Sequence, residues 1–421
     1  MIPGRGEPVR DAVVLVDGAS IVYAGPAAQA PGAEKAPRAD GAQAGAEGAQ
    51  AGQRAQAAGA EVTRAAVVMP GLWDCHVHLL GQIRPDLAML PREPVALRAA
   101  RGVAGLRAAL DAGVTSIREL AGLGIDMAPA VADGTIPGPA IHAAGAAISP
   151  TGGHVDLHSY PLGWVHEYGA HSNELRVADG AGECARVVRE QLRRNAKVIK
   201  VCASGGVMSE VDHPIHQQFT NAELRILVEV AGLAERVVAA HCHGKPGLMA
   251  ALEAGVRTIE HGTYLDEECA AAMRETGAIL VPTRFVVASA MADLERLPPY
   301  ARPKMEAVAE RHAEAVALAH ASGVTIAMGT DIGAGDWGRH GEELPLLAES
   351  GLTPLEAIEA ATANGPATLG PQAPRSGRLA AGYDADLLIL DADPLDDIAV
   401  LADPVNVREV WQAGRRVKQR S

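Results

Sequence analysis

Aromatic side chains are scarce in this chain: 3% of 421 residues, with two phenylalanines. The apolar load, 48% of the residues, therefore falls on Ala, Val, Leu and Ile, which pack closely but each bury less area. Basic residues are outnumbered, 37 against 51 acidic, for a formal net charge of -14. That balance argues against a nucleic-acid binder, since phosphate contacts need clustered Lys and Arg. The one basic cluster, Arg415, Arg416, Lys418 and Arg420, is too short to change this. No apolar run approaches the roughly 18 residues of a membrane span, so no membrane partner is expected. The opening Met1-Ile2-Pro3-Gly4-Arg5-Gly6 lacks the apolar stretch of a signal peptide. Five cysteines (Cys75, Cys184, Cys202, Cys242, Cys269) are odd in number and form no CxxC pair. A reduced, cytoplasmic protein is the expectation. No GxGxxG opens a helix after a strand, which disfavours a doubly wound dinucleotide-binding sheet.

What is present falls into three blocks. Ala12–Val16 and Ala19–Gly25 flank Asp17-Gly18 as a hairpin, because Asp-Gly accommodates the positive φ angles of a tight turn. Residues 27–60 follow as a low-complexity insertion; Gly41–Ala60 is almost all Ala, Gly and Gln. From 67 to 370, short apolar strands alternate with Ala-, Leu- and Glu-rich helices. The expected strands are Ala66–Met69, Val114–Arg118, Ala140–Ala144, Lys197–Cys202, Val237–His241, Arg257–His261, Ile279–Pro282 and Val324–Met328. Helices such as Ala100–Ala112, Glu183–Arg194 and Lys304–Ala321 lie between them, several ending at a Gly that suits a helix C-cap. Eight such units fit an α/β fold, a (β/α)8 TIM barrel. After Gly377 strands return, at Ala385–Asp391, Val407–Trp411 and Arg415–Lys418. Residues 1–66 and 371–421 are each too small for a good core. They are expected to combine into one small β-sandwich domain beside the barrel.

The chemistry is expected at the strand ends, where barrel enzymes gather their catalytic residues. In Asp74-Cys75-His76-Val77-His78, the two histidines share parity, so in extended backbone both imidazoles face one side and can grip one metal ion. Asp74 shares that parity and can orient a ligand, whereas Cys75 points into the packing. Lys200 lies inside the apolar run Lys197–Cys202, and a buried lysine is costly unless paired, neutralised or modified. His241 closes Val237–His241, with His243 at the same parity; His261 and Asp331 end two later strand segments. Each alone has a plainer reading, a hydrogen-bonded histidine, a helix cap or a snorkelling lysine. Together, at five strand ends, they point to a metal site.

Taken in order, PGLWDCHVH, VIKVCASGGVMS, AAHCHG, TIEHGTYLD, MGTD and SGRLAAGYDADLLILDADPL resemble the metal-dependent amidohydrolase superfamily. The likeness is to its imidazolonepropionase-related branch of Xaa-Pro dipeptidases, acyl-amino-acid carboxypeptidases and ochratoxin amidases. It implies two divalent ions, zinc first, with manganese or cobalt able to substitute. His76 and His78 would bind one ion with Asp331, His241 and His261 the other, and a Lys200 carbamate would bridge them. An ammonium has only donors and cannot bind a cation. His154, in Thr151-Gly152-Gly153-His154, and His243 would contact the substrate. The implied reaction is amide-bond hydrolysis of a dipeptide or N-acyl amino acid, with Asp331 passing the proton from water to the leaving nitrogen. Arg284, Arg339 and His340 are candidates for holding a substrate carboxylate, each with a solvated charge as its plainer reading. The expected assembly is a homo-oligomer. Three rival readings remain: an imidazolonepropionase-like cyclic amide hydrolase, a mononuclear deaminase and a non-catalytic scaffold. The deaminase has no use for Lys200 and usually carries a Glu soon after the strand-five histidine, where this chain has Gly244-Lys245-Pro246. Scaffolds of this type lose ligands that are all present here.

Overall fold

The computed structural model describes residues 1–31 and 61–420. From residue 32 on, the low-complexity insertion lies outside the described residues; Ala27–Gln29 forms a single 3-10 turn. The strands, in chain order, are β1 (Ala12–Asp17), β2 (Ser20–Pro26), β3 (Val67–Pro70), β4 (Leu72–Gln82), β5 (Val114–Glu119), β6 (Ala140–Ala143), β7 (Ala147–Ser149) and β8 (Leu175–Val177). They continue with β9 (Ile199–Cys202), β10 (Val238–Cys242), β11 (Thr258–His261), β12 (Ile279–Val281), β13 (Ile332–Ala334), β14 (Leu387–Leu390), β15 (Val407–Gln412) and β16 (Arg415–Gln419).

Two of the four sheets are parallel. One runs β12-β11-β10-β9-β7-β8 and the other β13-β4-β5-β6. Their residues are nearly all buried, polar ones included, as expected of strands covered on both faces. Helices separate most of them, including Val95–Asp111, Gly180–Arg193, Asn221–Gly232, Lys245–Ala254 and Arg302–Ala321. Thr220 and Glu223 close a capping box at the start of Asn221–Gly232, and Gly255, at φ 92°, ends Lys245–Ala254 in the left-handed region. One apolar cluster draws Trp73 and Cys75 from β4, Ala239 from β10, Ile279 and Val281 from β12, and Ala327 from the segment before β13. Members of both parallel sheets thus meet in one interior.

Two expectations about strands need correction. Val67–Pro70 is not the first strand of the parallel array. It pairs antiparallel with β14 in the sheet β16-β15-β14-β3, and the His76/His78 pair sits on the separate strand β4. The apolar run looked continuous, but Pro70-Gly71 breaks it: the Gly71 N–H turns to the Asp386 carbonyl at 3.0 Å. Val324–Met328 is likewise no regular strand and makes one bridge, Ile326 to Leu280. Its backbone is divided between two neighbours. Leu280 N donates to Thr325 O at 2.9 Å, and Cys75 N donates to Met328 O at 2.8 Å. A segment shared in this way holds too few consecutive ladder bonds to be regular.

The terminal segments behave as one unit. β1 and β2 form the Asp17-Gly18 hairpin, with Gly18 at φ 56°. Ile21, Leu379, Ala385, Leu387 and Ile389 form one buried cluster, with Val14, Val68 and Trp411 packed on it. Residues from both ends of the chain therefore share a core that neither end supplies alone.

Gly71 joins that unit to β4 where no side chain fits. A Cβ there would lie 2.2 Å from Thr115 Oγ1 and 2.3 Å from its Cγ2. Gly71→Ala should lower the unfolding midpoint, with a cost of about 1–3 kcal/mol for overpacking, read by thermal or denaturant melting. An unchanged midpoint would mean that Thr115 yields freely.

Candidate metal centre

β4 presents Asp74, His76 and His78 to one side, as their parity requires. His76 is fully buried. Its Nε2 lies 3.3 Å from His78 Nε2, 3.2 Å from Lys200 Nζ and 3.5 Å from Asp331 Oδ1. His78 Nε2 is 3.2 Å from the same Asp331 oxygen. His241, His243 and His261 form a second group in which the three potential ligand atoms lie within 4.8 Å of one another. The His76 and His261 rings, 5.0 Å apart between centroids, join the two groups. The structure therefore brings His76, His78, Lys200, His241, His261 and Asp331 into one place, with His243 beside them. His154 stacks on His241 at 4.3 Å.

Each ring has one nitrogen engaged by a neighbour. His76 Nδ1 meets Glu260 Oε2 at 2.8 Å, and His78 Nδ1 meets the Ala121 carbonyl at 3.1 Å. His243 Nδ1 pairs with Thr263 Oγ1 and His261 Nδ1 with Thr283 Oγ1, each at 2.8 Å. His241 is reversed: its Nε2 faces the Gly205 carbonyl at 3.1 Å. A ring that donates one N–H outward turns a bare lone pair inward, which is the form that binds a metal. The donor chemistry therefore fits divalent cations.

Burial sets the protonation states. It lowers His76 and His154 to about 4 and His243 to about 3, so these rings are neutral at pH 7. It also lowers Lys200, favouring the free amine. Desolvation would raise the Asp331 carboxyl, but His76, His78 and Lys200 outweigh it and hold the group below the usual carboxylate range. Asp331 and His261 adopt left-handed backbone at φ 61° and 71°, unusual for residues with side chains and typical of strained functional positions.

Several supporting residues escaped the sequence reading. Asp74 was expected to orient a ligand. It does so through backbone and neighbours, accepting from His76 N at 3.1 Å, Thr330 N at 3.1 Å and Thr330 Oγ1 at 2.6 Å. Asp74 also takes His340 Nδ1 at 2.8 Å, so His340 is a buried strut and not a carboxylate-binding group. Arg339 is committed to Glu342 at 2.7 Å and lies over Phe285, while the Arg284 side chain does not line the cavity. Among the described residues, Lys200 and Arg296 are the lysine and arginine side chains that do line it, and Arg296 sits 3.4 Å from Asp336. Glu260 and Arg118, both fully buried, were also missed. Their signal was the same as that of Lys200, a charge inside an apolar strand.

The cavity over the histidines measures about 210 Å³. Its wall is apolar, with Val207, Met208, Phe285, Val287 and Leu297 among its residues. His154 enters from the loop after β7 and packs so tightly on Gly206 that a Cβ there would lie 2.0 Å from its Cε1. Its Nδ1 meets Ser209 Oγ at 3.0 Å.

Glu119, at the end of β5, braces the loop that supplies the Ala121 carbonyl. It accepts from Gly124 N at 3.3 Å, but its buried Oε2 has no partner. Burial pushes its carboxyl up to about 8. The folded chain therefore holds a proton that the unfolded chain releases near its ordinary value, so stability must fall as pH rises between the two. Glu119→Gln should remove that loss. Its melting temperature relative to wild type should rise from pH 5 to pH 9, and a pH-independent difference would refute the assignment.

A family model for the amidohydrolase family matches residues 67–417. Ochratoxinase from Aspergillus niger is 41% identical over 99% of this chain and 85% of its own length. The crystal structure of the A. niger ochratoxinase superposes with a TM-score of 0.90 at 40% identity, covering 100% of this chain and 94% of that one. A prolidase solved with N-methylphosphonate-L-proline gives a TM-score of 0.83 at 32% identity, covering 97% and 95%. Imidazolonepropionase from Streptomyces coelicolor is 25% identical over 97% of this chain and 92% of its own length. With its paired histidine groups, its parallel sheets and these likenesses across almost its whole length, the chain belongs to the amidohydrolase family.

Proposed function

We propose that this chain, an amide-bond hydrolase, works through two divalent ions, zinc first, and cleaves a dipeptide or N-acyl amino acid with an apolar side chain. The observation that carries the reading is the histidine arrangement: five rings each have one nitrogen engaged by a neighbour, and His76, His78, His241 and His261 keep the other for a cation. His76, His78 and Asp331 would hold one ion and His241 and His261 the other, as the motif resemblance assigns them. Lys200, carboxylated, would bridge the pair. Its buried free amine adds to carbon dioxide, forming a C–N bond and releasing one proton, and the resulting carbamate offers two anionic oxygens. A one-metal deaminase leaves that lysine without a role.

When bound, the ions acidify a water and polarise the scissile carbonyl. The chain's own residues do the rest. Asp331, held ionised, accepts the proton from water and passes it to the leaving nitrogen, a transfer worth about 10²- to 10⁴-fold. His154 and His243, neutral and at the cavity floor, are positioned to hold the carbonyl and the substrate's polar end. The apolar wall excludes water and receives the side chain. Ochratoxinase and the prolidase, both amide-cleaving by name, support the substrate class.

In the same reading, β4, β5, β6 continued by β7, β9, β10, β11, β12 and the segment 324–331 are the eight staves of one closed barrel, with β8 and β13 as additions to it, and the terminal sheets are the halves of a β-sandwich. The sandwich reaches Pro70 before residues 71–370 form the barrel, and 371–421 complete it. Five buried free thiols suit a cytoplasmic protein, and no described helix is long and apolar enough to cross a membrane. A homo-oligomer is the proposed assembly.

Elemental analysis should find about two transition-metal ions per chain, one of them lost in Lys200→Ala. Asp331→Asn should fold normally and lose nearly all turnover on Xaa-Pro dipeptides and N-acyl amino acids; wild-type turnover would sink the mechanism. Inactivity of the zinc-loaded wild type across that panel would redirect the assignment to cyclic amides.

A further inference from the structure

Beneath the histidines lies a charge pair that the reaction does not require. Arg118 on β5 and Glu260 on β11 are both fully buried. Arg118 Nη2 reaches Glu260 Oε1 at 2.7 Å and Oε2 at 2.9 Å. Its Nη1 donates to Thr258 Oγ1 at 2.9 Å and its Nε to the Cys75 carbonyl at 2.6 Å. Glu260 Oε1 also accepts from Thr258 Oγ1, and its Oε2 faces His76 Nδ1 at 2.8 Å. β5 and β11 lie in different parallel sheets, so the pair crosses the interior.

Stability alone does not explain such a pair. Desolvating two charges costs about as much as their attraction returns, and apolar replacements of similar volume are often neutral or stabilising. Position explains it. Arg118 binds both carboxylate oxygens, and Oε2 also serves the one ring that touches His78, Lys200 and Asp331 at once. Arg118 holds the carboxylate from one side and the Cys75 carbonyl, one residue before His76, from the other.

We propose that Glu260 is a positioning residue that fixes His76 as the Nδ1–H tautomer with Nε2 turned to the metal centre, and that Arg118 holds Glu260 in place for this task. The inference rests on the two-metal reading above. The carboxylate leaves His76 one tautomer only, because an ionised carboxylate accepts and cannot donate. It also raises the ring's basicity as a ligand.

Two variants test it, with zinc affinity as the readout, measured by competition with a chelator. Glu260→Gln keeps the shape but can also donate to Nδ1. The double variant Arg118→Met/Glu260→Leu removes both charges together, so no unpaired ion is left to unfold the protein. Each should bind zinc more weakly by about 10- to 100-fold, and the double variant should melt within a few degrees of wild type when both are metal-free. Wild-type zinc affinity in either folded variant would overturn the proposal. A measurement without a Glu260 or Arg118 variant stands beside these. In the ¹⁵N-histidine-labelled, metal-free wild-type chain, the His76 signal, assigned by its loss in His76→Gln, should be that of the Nδ1–H tautomer. An Nε2–H tautomer would overturn the proposal. If the wild type binds no zinc, the metal-centre reading itself fails. If it binds two equivalents and the variants match it, the positioning role alone fails.

Discussion

Five imidazoles crowded into one space can coexist only if none points its proton at another. Most of what surrounds the centre answers to that constraint. Thr263, Thr283, the carbonyls of Ala121 and Gly205, and Glu260 each engage one ring nitrogen on its outer side. Glu260 and the two carbonyls can only accept, so His76, His78 and His241 turn a lone pair inward. Lys200 belongs to the same economy. Burial drives its ammonium toward the amine, against the pull of the Glu260 and Asp331 carboxylates.

The fold supplies these partners by making strand ends meet. β9, β10 and β11 lie side by side and carry Lys200, His241 and His261, whereas His76 and His78 come from the middle of β4. Asp331 comes from a segment whose backbone is shared by two neighbours. Asp74 ties that segment to β4 through Thr330, and Asp331 N donates to the His76 carbonyl at 2.7 Å. His76 and Asp331 are thus locked by a mutual backbone and side-chain clamp rather than by a regular ladder, which leaves the aspartate free to take its left-handed conformation.

Much of this was legible in the sequence, because the features involved are local. Strand parity put His76 and His78 on one side, and an apolar run interrupted by Lys200 marked a buried amine. The strand–helix alternation was equally plain. What stayed hidden depended on partners distant in the chain. Nothing near Val67 says that its strand pairs with Leu387–Leu390, since apolar strands of four residues look alike in either sheet. His340 and Arg339 sit side by side after Asp331, yet one is a buried strut and the other a surface ion pair. Only the reach of Asp74 and Glu342 separates them. Arg118 and Glu260 carried the same warning as Lys200, but a buried arginine finds its meaning only across the interior.

Strand β3 has a consequence for how the molecule comes into being. Its ladder partner β14 lies more than 300 residues further along the chain, and one glycine separates β3 from the strand that bears His76 and His78. During synthesis the parallel sheets can be emerging and folding while the edge of β3 still waits for residues 387–390. The strand that bears His76 and His78 is therefore anchored at its base only after more than 300 further residues have been made. Long-range closure of that kind is slow, and until it occurs the apolar face of Val67–Pro70 is open to wrong partners. Yield and solubility should thus be most sensitive to changes in the last strands, far from any residue that touches substrate.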